Sequence, residues 1–316
     1  MKMVDTALIS RAGAFIRDQG RDLETAMFQL FLAGSSATRE QRGRLIAALR
    51  RYQNSDGGFG HGLESDFRLP DSSAMATSVA LRIIHDWKWT GFGGELDELV
   101  EPAIGYLEGS YDACRRGWWA VPPEVNRYPH APWWHYDEEE GMTMIDRYWG
   151  NPSAEILAYL RVYQGLVKCL PVDNLIEFAM RRMLDQTDYS SEHEVFCYIR
   201  LCRQLPSASA HVLGRVLKKA VRVLVCTQPE QWDGYLPRPL DFAPSRCLMA
   251  PLGLTQQEVD TQLDYIILQL DRQGGIWPHW SWDQEPVAWK RAQREWAGQL
   301  TLAALLLLDS YGRILW

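Results

Sequence analysis

The segment His61-Gly62-Leu63-Glu64-Ser65-Asp66-Phe67-Arg68-Leu69-Pro70-Asp71 gathers ionisable groups between a glycine-rich turn and an apolar helix. Glu64, Asp66 and Asp71 are candidate catalytic acids, because a carboxylic acid kept neutral by desolvation can donate a proton at neutral pH. Each also has a structural reading. Asp71 suits a helix N-cap, and Glu64 or Asp66 can pair with Arg68 or a loop amide. A second group, Trp118, Trp119, Tyr128, His130, Trp133, Trp134 and His135, lies in a stretch of about forty residues from Ala113 to Gly150. Loops of that size act as lids or binding elements. Their aromatic faces would attract cations or stack on apolar and sugar-ring surfaces, which names two substrate classes, carbocation-forming isoprenoids and carbohydrates. The alternative is packing at the ends of helices.

A third group, Trp277, His279 and Trp280, accompanies Tyr235 and Asp241 on another long loop. There His279 would serve as a general base or ligand-facing donor, or as a structural loop histidine. His193 and Cys197 stand four apart on one helical face, the spacing of a metal pair, but no third ligand can be named. No metal or cofactor is therefore assigned, and neither magnesium nor zinc has a motif here.

These groups need a scaffold. Hydrophobic periodicity predicts helices over about 3–18, 22–33, 38–52, 71–87, 94–108, 151–165, 172–186, 190–204, 209–226, 255–272 and 292–312, and no strand. The helices are of two kinds. In 38–52 and 255–272 one stripe is apolar (Leu45, Ile46, Leu49; Val259, Leu263, Ile266, Ile267, Leu270), as at a surface. By contrast 71–87 and Ala297 to Leu308 are apolar almost all round, as in helices enclosed on every side. Alternation of the two predicts an inner and an outer layer. The expected fold is all-α: residues 1–316 as a single-domain α/α toroid, two concentric layers of about eleven to twelve helices.

Glycine-aromatic turns punctuate the pattern at Gly57-Gly58-Phe59, Gly117-Trp118-Trp119, Gly234-Tyr235 and Gly274-Gly275-Ile276-Trp277. Gly58 to Gly117 is 59 residues and Gly117 to Gly234 is 117, nearly twice that, which leaves room for a degenerate turn near Asp188-Tyr189-Ser190. A positive φ is expected at Gly58.

Composition narrows the partners. A net charge of −7 argues against nucleic acid, which requires a clustered basic face. The uncharged run Trp296 to Leu308 is only 13 residues, too short to span a bilayer, so membrane contact would be peripheral. Asp5, Arg11 and Arg17 interrupt any signal-peptide core, and six cysteines without a C-x-x-C pair suit a reducing compartment. A cytoplasmic location is expected; oligomeric state is left open. The 14 tryptophans, many beside Gly or Pro, are several times the usual frequency. Aromatics placed on loops require a reason.

The turns Gln53 to Phe59 and Gln273 to Trp277 resemble the repeats of the terpenoid cyclase and protein prenyltransferase superfamily, and Pro70 to Ala76 looks like the inner-helix start that follows each repeat there. Gly57 to Arg68, Tyr128 to Trp134 and Pro239 to Ser245 are similar to single-domain bacterial prenyltransferase-like or squalene-cyclase-like proteins. The resemblance implies the toroid and a hydrophobic prenyl or terpenoid ligand in its cavity, cyclised or isomerised by acid catalysis. The D-x-D-D and D-D-x-x-D motifs of those enzymes are absent. Two alternatives stand beside that reading: a carbohydrate hydrolase or lyase with an aromatic cleft, and a non-catalytic protein that holds a ligand or partner. Asp66→Asn and Glu64→Gln are expected to leave folding intact, since neither lies on an apolar stripe. Circular dichroism against wild type checks this, and a lost melting transition in either variant would assign the segment to the core.

Overall fold

The computed structural model describes residues 1–87 and 94–316. The described residues are all-α, with helices α1 (Thr6–Gln19), α2 (Asp22–Ala33), α3 (Arg39–Arg50), α4 (Ala74–Trp87), α5 (Asp97–Gly109), α6 (Gly150–Val162) and α7 (Val172–Asp185). Then follow α8 (Glu192–Arg203), α9 (Ser207–Leu224), α10 (Pro239–Phe242), α11 (Arg246–Met249), α12 (Gln256–Gln273) and α13 (Pro286–Ser310). A two-residue antiparallel ladder, Tyr136–Asp137 with Met142–Thr143, is the strand content the periodicity missed. Among the described residues no helix is long and apolar enough to cross a membrane.

Side chains start and stop these helices. Asp5 accepts the Leu8 amide at 2.8 Å, Ser191 the Glu194 amide at 3.2 Å, and Thr255 with Glu258 forms a reciprocal capping box. Helix α4 begins three residues later than expected. Ser73 is its cap, bonding the Ala76 amide at 3.1 Å, while Asp71 sits exposed in the turn before it. At the other end of the chain α13 begins earlier than expected, with Pro286 in its first turn, where no amide hydrogen is needed.

The chain gathers into two compact units, Met1–Ala48 with Lys218–Trp316, and Leu49–Leu217. In the first, α13 packs on α1, α2 and α12, and α12 buries the expected stripe Val259, Leu263, Ile266, Ile267 and Leu270. Helix α13 departs from expectation: Ala303 is exposed and Leu300, Leu306 and Leu307 are half-buried, so it is enclosed on one side only. The chain ends are joined here. Val4 and Ile314 form a parallel bridge through Val4 N–H to Arg313 O (2.8 Å) and Leu315 N–H to Val4 O (2.9 Å). The Arg313 guanidinium, 2% exposed, donates to Lys2 O, Asp264 and Asp260, each at 2.7 Å.

In the second unit α6 packs on α4, α7 and α8, and α4 also meets α5. Helix α6 is buried from Gly150 to Leu160 and α4 from Ala74 to Leu81, whereas α7 buries the single stripe Val172, Leu175, Ile176, Ala179 and Met183. Enclosed and one-faced helices are thus both present, as the patterning requires.

Three of the four glycine turns make the same bond to an enclosed or partly enclosed helix. Phe59 N–H donates to Thr77 Oγ1 at 3.0 Å, Trp118 N–H to Ser153 Oγ at 3.0 Å, and Ile276 N–H to Thr301 Oγ1 at 2.8 Å. The Thr77 and Thr301 hydroxyls pass their own protons to the carbonyls four residues back, Ser73 O and Ala297 O. At the Gly234-Tyr235 turn, Tyr235 is 51% exposed.

The positive φ lies one residue before the position expected. Gly57 has φ 90° and Gly274 φ 74°, whereas Gly58 is required for space: a Cβ there would stand 2.6 Å from Ser72 Cβ and 2.7 Å from the Tyr106 ring. At Gly117 the same atom would meet Ser153 Oγ and Trp149 Nε1 at 2.7 Å, and at Gly275 the Phe15 ring at 2.2 Å. The first position of each turn needs the left-handed region, which Arg116 adopts at φ 54° in the turn without a second glycine. The second position needs close approach. Thr77→Val and Thr301→Val, which keep shape but strip the acceptor, should each cost about 2 kcal/mol by leaving a buried amide unpaired. Urea unfolding is the measurement. Gly58→Val should cost at least as much, and an unaltered midpoint in all three would remove the turn bond from the fold.

Candidate functional site

The first two sequence groups meet. Phe67 bridges His130, Arg68 N–H donates to Pro129 O at 2.9 Å and Ala131 N–H to Asp66 O at 2.7 Å, so the 61–71 loop and the 128–135 segment are zipped along their backbones. Phe67 and Trp134 add an edge-to-face ring pair at 5.1 Å. Asp66 is 5% exposed, and its amide donates to Glu64 Oε1 at 3.2 Å. His130 Nδ1 lies 2.7 Å from Tyr128 O, which can only accept, so Nδ1 carries a proton. In the neutral pair His130 Nε2 then accepts from His135 Nδ1, 3.3 Å away, and the exposed His135 ring is left with its Nε2 lone pair.

The long loop is knotted by a residue the sequence reading passed over. Asp146, 2% exposed, accepts Ala120 N–H at 2.8 Å, Thr143 N–H at 3.1 Å and the Thr143 hydroxyl at 2.6 Å. Trp119 is fixed from two sides: its indole donates to Asp112 at 2.9 Å and Arg115 stacks on it at 4.2 Å. Trp118 corrects the expectation of a ligand surface. It is 0% exposed and its indole donates to Leu107 O at 2.7 Å, so it is core. Trp134, 5% exposed, likewise belongs to the interior, whereas Tyr128 and Trp133 are half-buried.

The enclosed helices, expected to be apolar, carry charge as well. Glu155 on α6 is 3% exposed and accepts from Arg82 Nη1 on α4 (3.3 Å), Arg200 Nη1 on α8 (3.3 Å) and the Tyr159 hydroxyl (3.1 Å). Cys197 Sγ approaches it at 3.6 Å. Burial raises the carboxyl's pKa, but Arg200 and Arg82 overcome this and hold Glu155 below the usual carboxylate range. The two guanidiniums keep 31% and 30% of their side-chain surface in water. Desolvation pushes Asp86, one turn on from Arg82, above the ordinary carboxylate range against the pull of Arg82, His85, Arg200 and Arg203. Desolvation, helped by Arg200 and Arg82, lowers His193. Asp86 and His193 both keep exposed surface.

Burial and the neighbouring Glu155 push the Cys197 thiol far above its ordinary value. No group of three or more His, Cys, Asp or Glu that could hold a metal ion occurs among the described residues. What could have revealed the cluster is charge where a helix has no outside. Glu155 falls in Ala154-Glu155-Ile156-Leu157-Ala158, and Arg82 within Val79 to Ile84.

The third group lies in the other unit. His279 Nδ1 donates to Asp233 O at 3.1 Å, and desolvation by burial, with Arg238 nearby, keeps the ring neutral. Trp280 meets Tyr235 at 5.6 Å and Trp296 at 5.2 Å, each edge to face. Trp277 packs on Phe15 at 5.4 Å. Asp241 accepts the Arg238 amide at 2.8 Å and so caps α10.

Glu155→Gln should lower stability at neutral pH by about 2 kcal/mol, less than a fully buried pair would because the arginines reach water. Its lowered pKa means that Glu155 stabilises the fold above the unfolded carboxylate pKa and stops doing so as pH falls through the folded value. Unfolding of the Gln variant should lose that acid-side component; identical pH profiles for variant and wild type would contradict it. Compared with known proteins, the chain matches no family model, no curated protein and no solved structure.

Proposed function

We propose that this protein binds a polar, acidic ligand of the glycan class in the α4–α6–α8 recess and acts on it by acid catalysis. The observation that carries this reading is the Arg82–Glu155–Arg200 triad, a buried carboxylate flanked by two partly hydrated guanidiniums. Such a triad is rarely worth more to stability than apolar packing would be, which favours a binding role. Two positive charges against one ionised carboxylate leave one positive charge over, and His193 held neutral does not add to it. The remaining guanidinium donors suit the planar carboxylate of an acidic sugar. Asp86 on α4, which burial keeps protonated to higher pH while Glu155 stays ionised, supplies the proton; environments that drive two carboxyl pKa values apart are how acid roles are assigned. The zipped 61–71 and 128–135 segments, with Asp66, His130 and His135, would form the rim.

A terpenoid ligand is the second reading. It is favoured by the turn bond repeated at Phe59, Trp118 and Ile276, the pattern that resembles the cyclase superfamily, and it carries the toroid with it. That repeat speaks to architecture and leaves the reaction open. Calorimetric titration with trigalacturonate and, separately, with farnesyl diphosphate distinguishes the two. The acidic sugar should bind, and Arg200→Gln should weaken it about tenfold or more. Binding of farnesyl diphosphate alone would replace the glycan reading by the terpenoid one. Where turnover is found, its rate should fall as pH rises through the Asp86 value, and Asp86→Asn should abolish it without loss of binding.

A further inference from the structure

Helices α1 and α12 border an open groove of about 590 Å³, inside the unit of Met1–Ala48 with Lys218–Trp316. Positions 7, 8 and 11 share one face of α1, and 267, 268 and 271 one face of α12. The apolar lining is Leu8 and Ile267, both buried, the half-buried Met3 and Leu268, and the exposed Ala7. Residues 2–5 complete it and are pinned. Lys2 N–H donates to Asp264 Oδ1 at 2.8 Å, Arg313 Nη1 donates to Lys2 O at 2.7 Å, and Val4 bonds Arg313 O and Leu315 N–H. Arg11 joins α1 to α12 by donating to Asp271 at 2.6 Å. The groove is thus held in shape by the fold itself, and a preformed site spares a ligand the cost of ordering it.

The charges along this groove select the occupant. Of its two carboxylates, Asp271 is engaged by Arg11, and Asp5 accepts the Leu8 amide at 2.8 Å as the cap of α1. Its two cations have donors left over. Lys2 Nζ makes no hydrogen bond or ion pair with the described residues, and only one nitrogen of Arg11 is bonded. Cationic donors beside an apolar surface match a molecule with an anionic head and a hydrocarbon tail. A recess of this volume suits one small molecule, whereas contact with a bilayer calls for a projecting apolar face.

We propose that the α1–α12 groove binds a free medium-chain carboxylic acid, with its carboxylate at Lys2 and Arg11 and its tail along Leu8, Ile267 and Leu268. The groove shares no residue with α4, α6 and α8 and does not depend on the reading proposed for them.

Decanoate and its cationic counterpart decyltrimethylammonium are titrated, below their micellar concentrations, into the full chain by calorimetry, with backbone amides followed by NMR. Decanoate should bind saturably and shift the amides of residues 2–11 and 267–271, and the cation should bind at least about tenfold more weakly. Ala7→Trp, which fills the groove from an exposed helical position, should abolish binding. Lys2→Gln should weaken it about fivefold, and added salt should erase that difference. Leu268→Glu, which sets a negative charge beside the ligand, should weaken it about tenfold and keeps the test open should Ala7→Trp fail to fold. No saturable response to decanoate would overturn the proposal, as would an equal response to the cation or undiminished binding by a folded Ala7→Trp variant. Binding to anionic vesicles without binding of free decanoate would overturn it in favour of a membrane surface. Shifts of the same amides that follow protein concentration in the absence of decanoate would overturn it in favour of a second copy of this chain.

Discussion

A buried amide that finds a hydroxyl on the next long helix is the constraint on which this architecture turns. Each glycine turn leaves a helix end and must bring its chain into a space already closed by side chains, where a backbone N–H without a partner is costly. Thr77, Ser153 and Thr301 meet that need from buried positions, where an aliphatic residue would pack as well but bond nothing. The close approach that makes the bond leaves no room for a Cβ at Gly58, Gly117 or Gly275. One bond thereby fixes the residue types at both of its ends.

The same demand for satisfaction explains the charge cluster at Glu155. Helix α6 buries nearly everything it carries, so Glu155 persists there because four donors from α4, α6 and α8 converge on it. Its arginines are only partly withdrawn from water, which limits both the cost of burying them and what they return to stability. A group of this kind is a weak fastener between three helices of one unit.

Much of this was legible in the chain. Periodicity placed most of the long helices within a few residues, α13 starting six earlier than expected, because apolar stripes on α7 and α12 and the nearly continuous burial of α6 leave a plain signal. The turn repeat was visible from glycine spacing, but which glycine is left-handed was not, since φ and crowding both favour the same residue and only geometry separates Gly57 from Gly58. Grouping by sequence found the 61–71 and 128–135 segments, and the fold joins them by backbone bonds that no side-chain pattern encodes. It missed the triad because Arg82, Glu155 and Arg200 are 73 and 45 residues apart and each alone looks like an ordinary charge on a helix. Tryptophan abundance was over-read: a ring such as Trp118 that donates to Leu107 O inside the core is spent on packing.

The joining of the chain ends has a mechanical consequence. Residues near Val4 and Ile314 run parallel, so tension applied between the first and last residues drags the two segments past each other. Both backbone bonds and the three Arg313 contacts are then stretched together rather than peeled in turn. Threading by an unfoldase that grips either end would have to break this shear clamp before any helix of that unit is extracted, whereas a pull from an internal loop would bypass it.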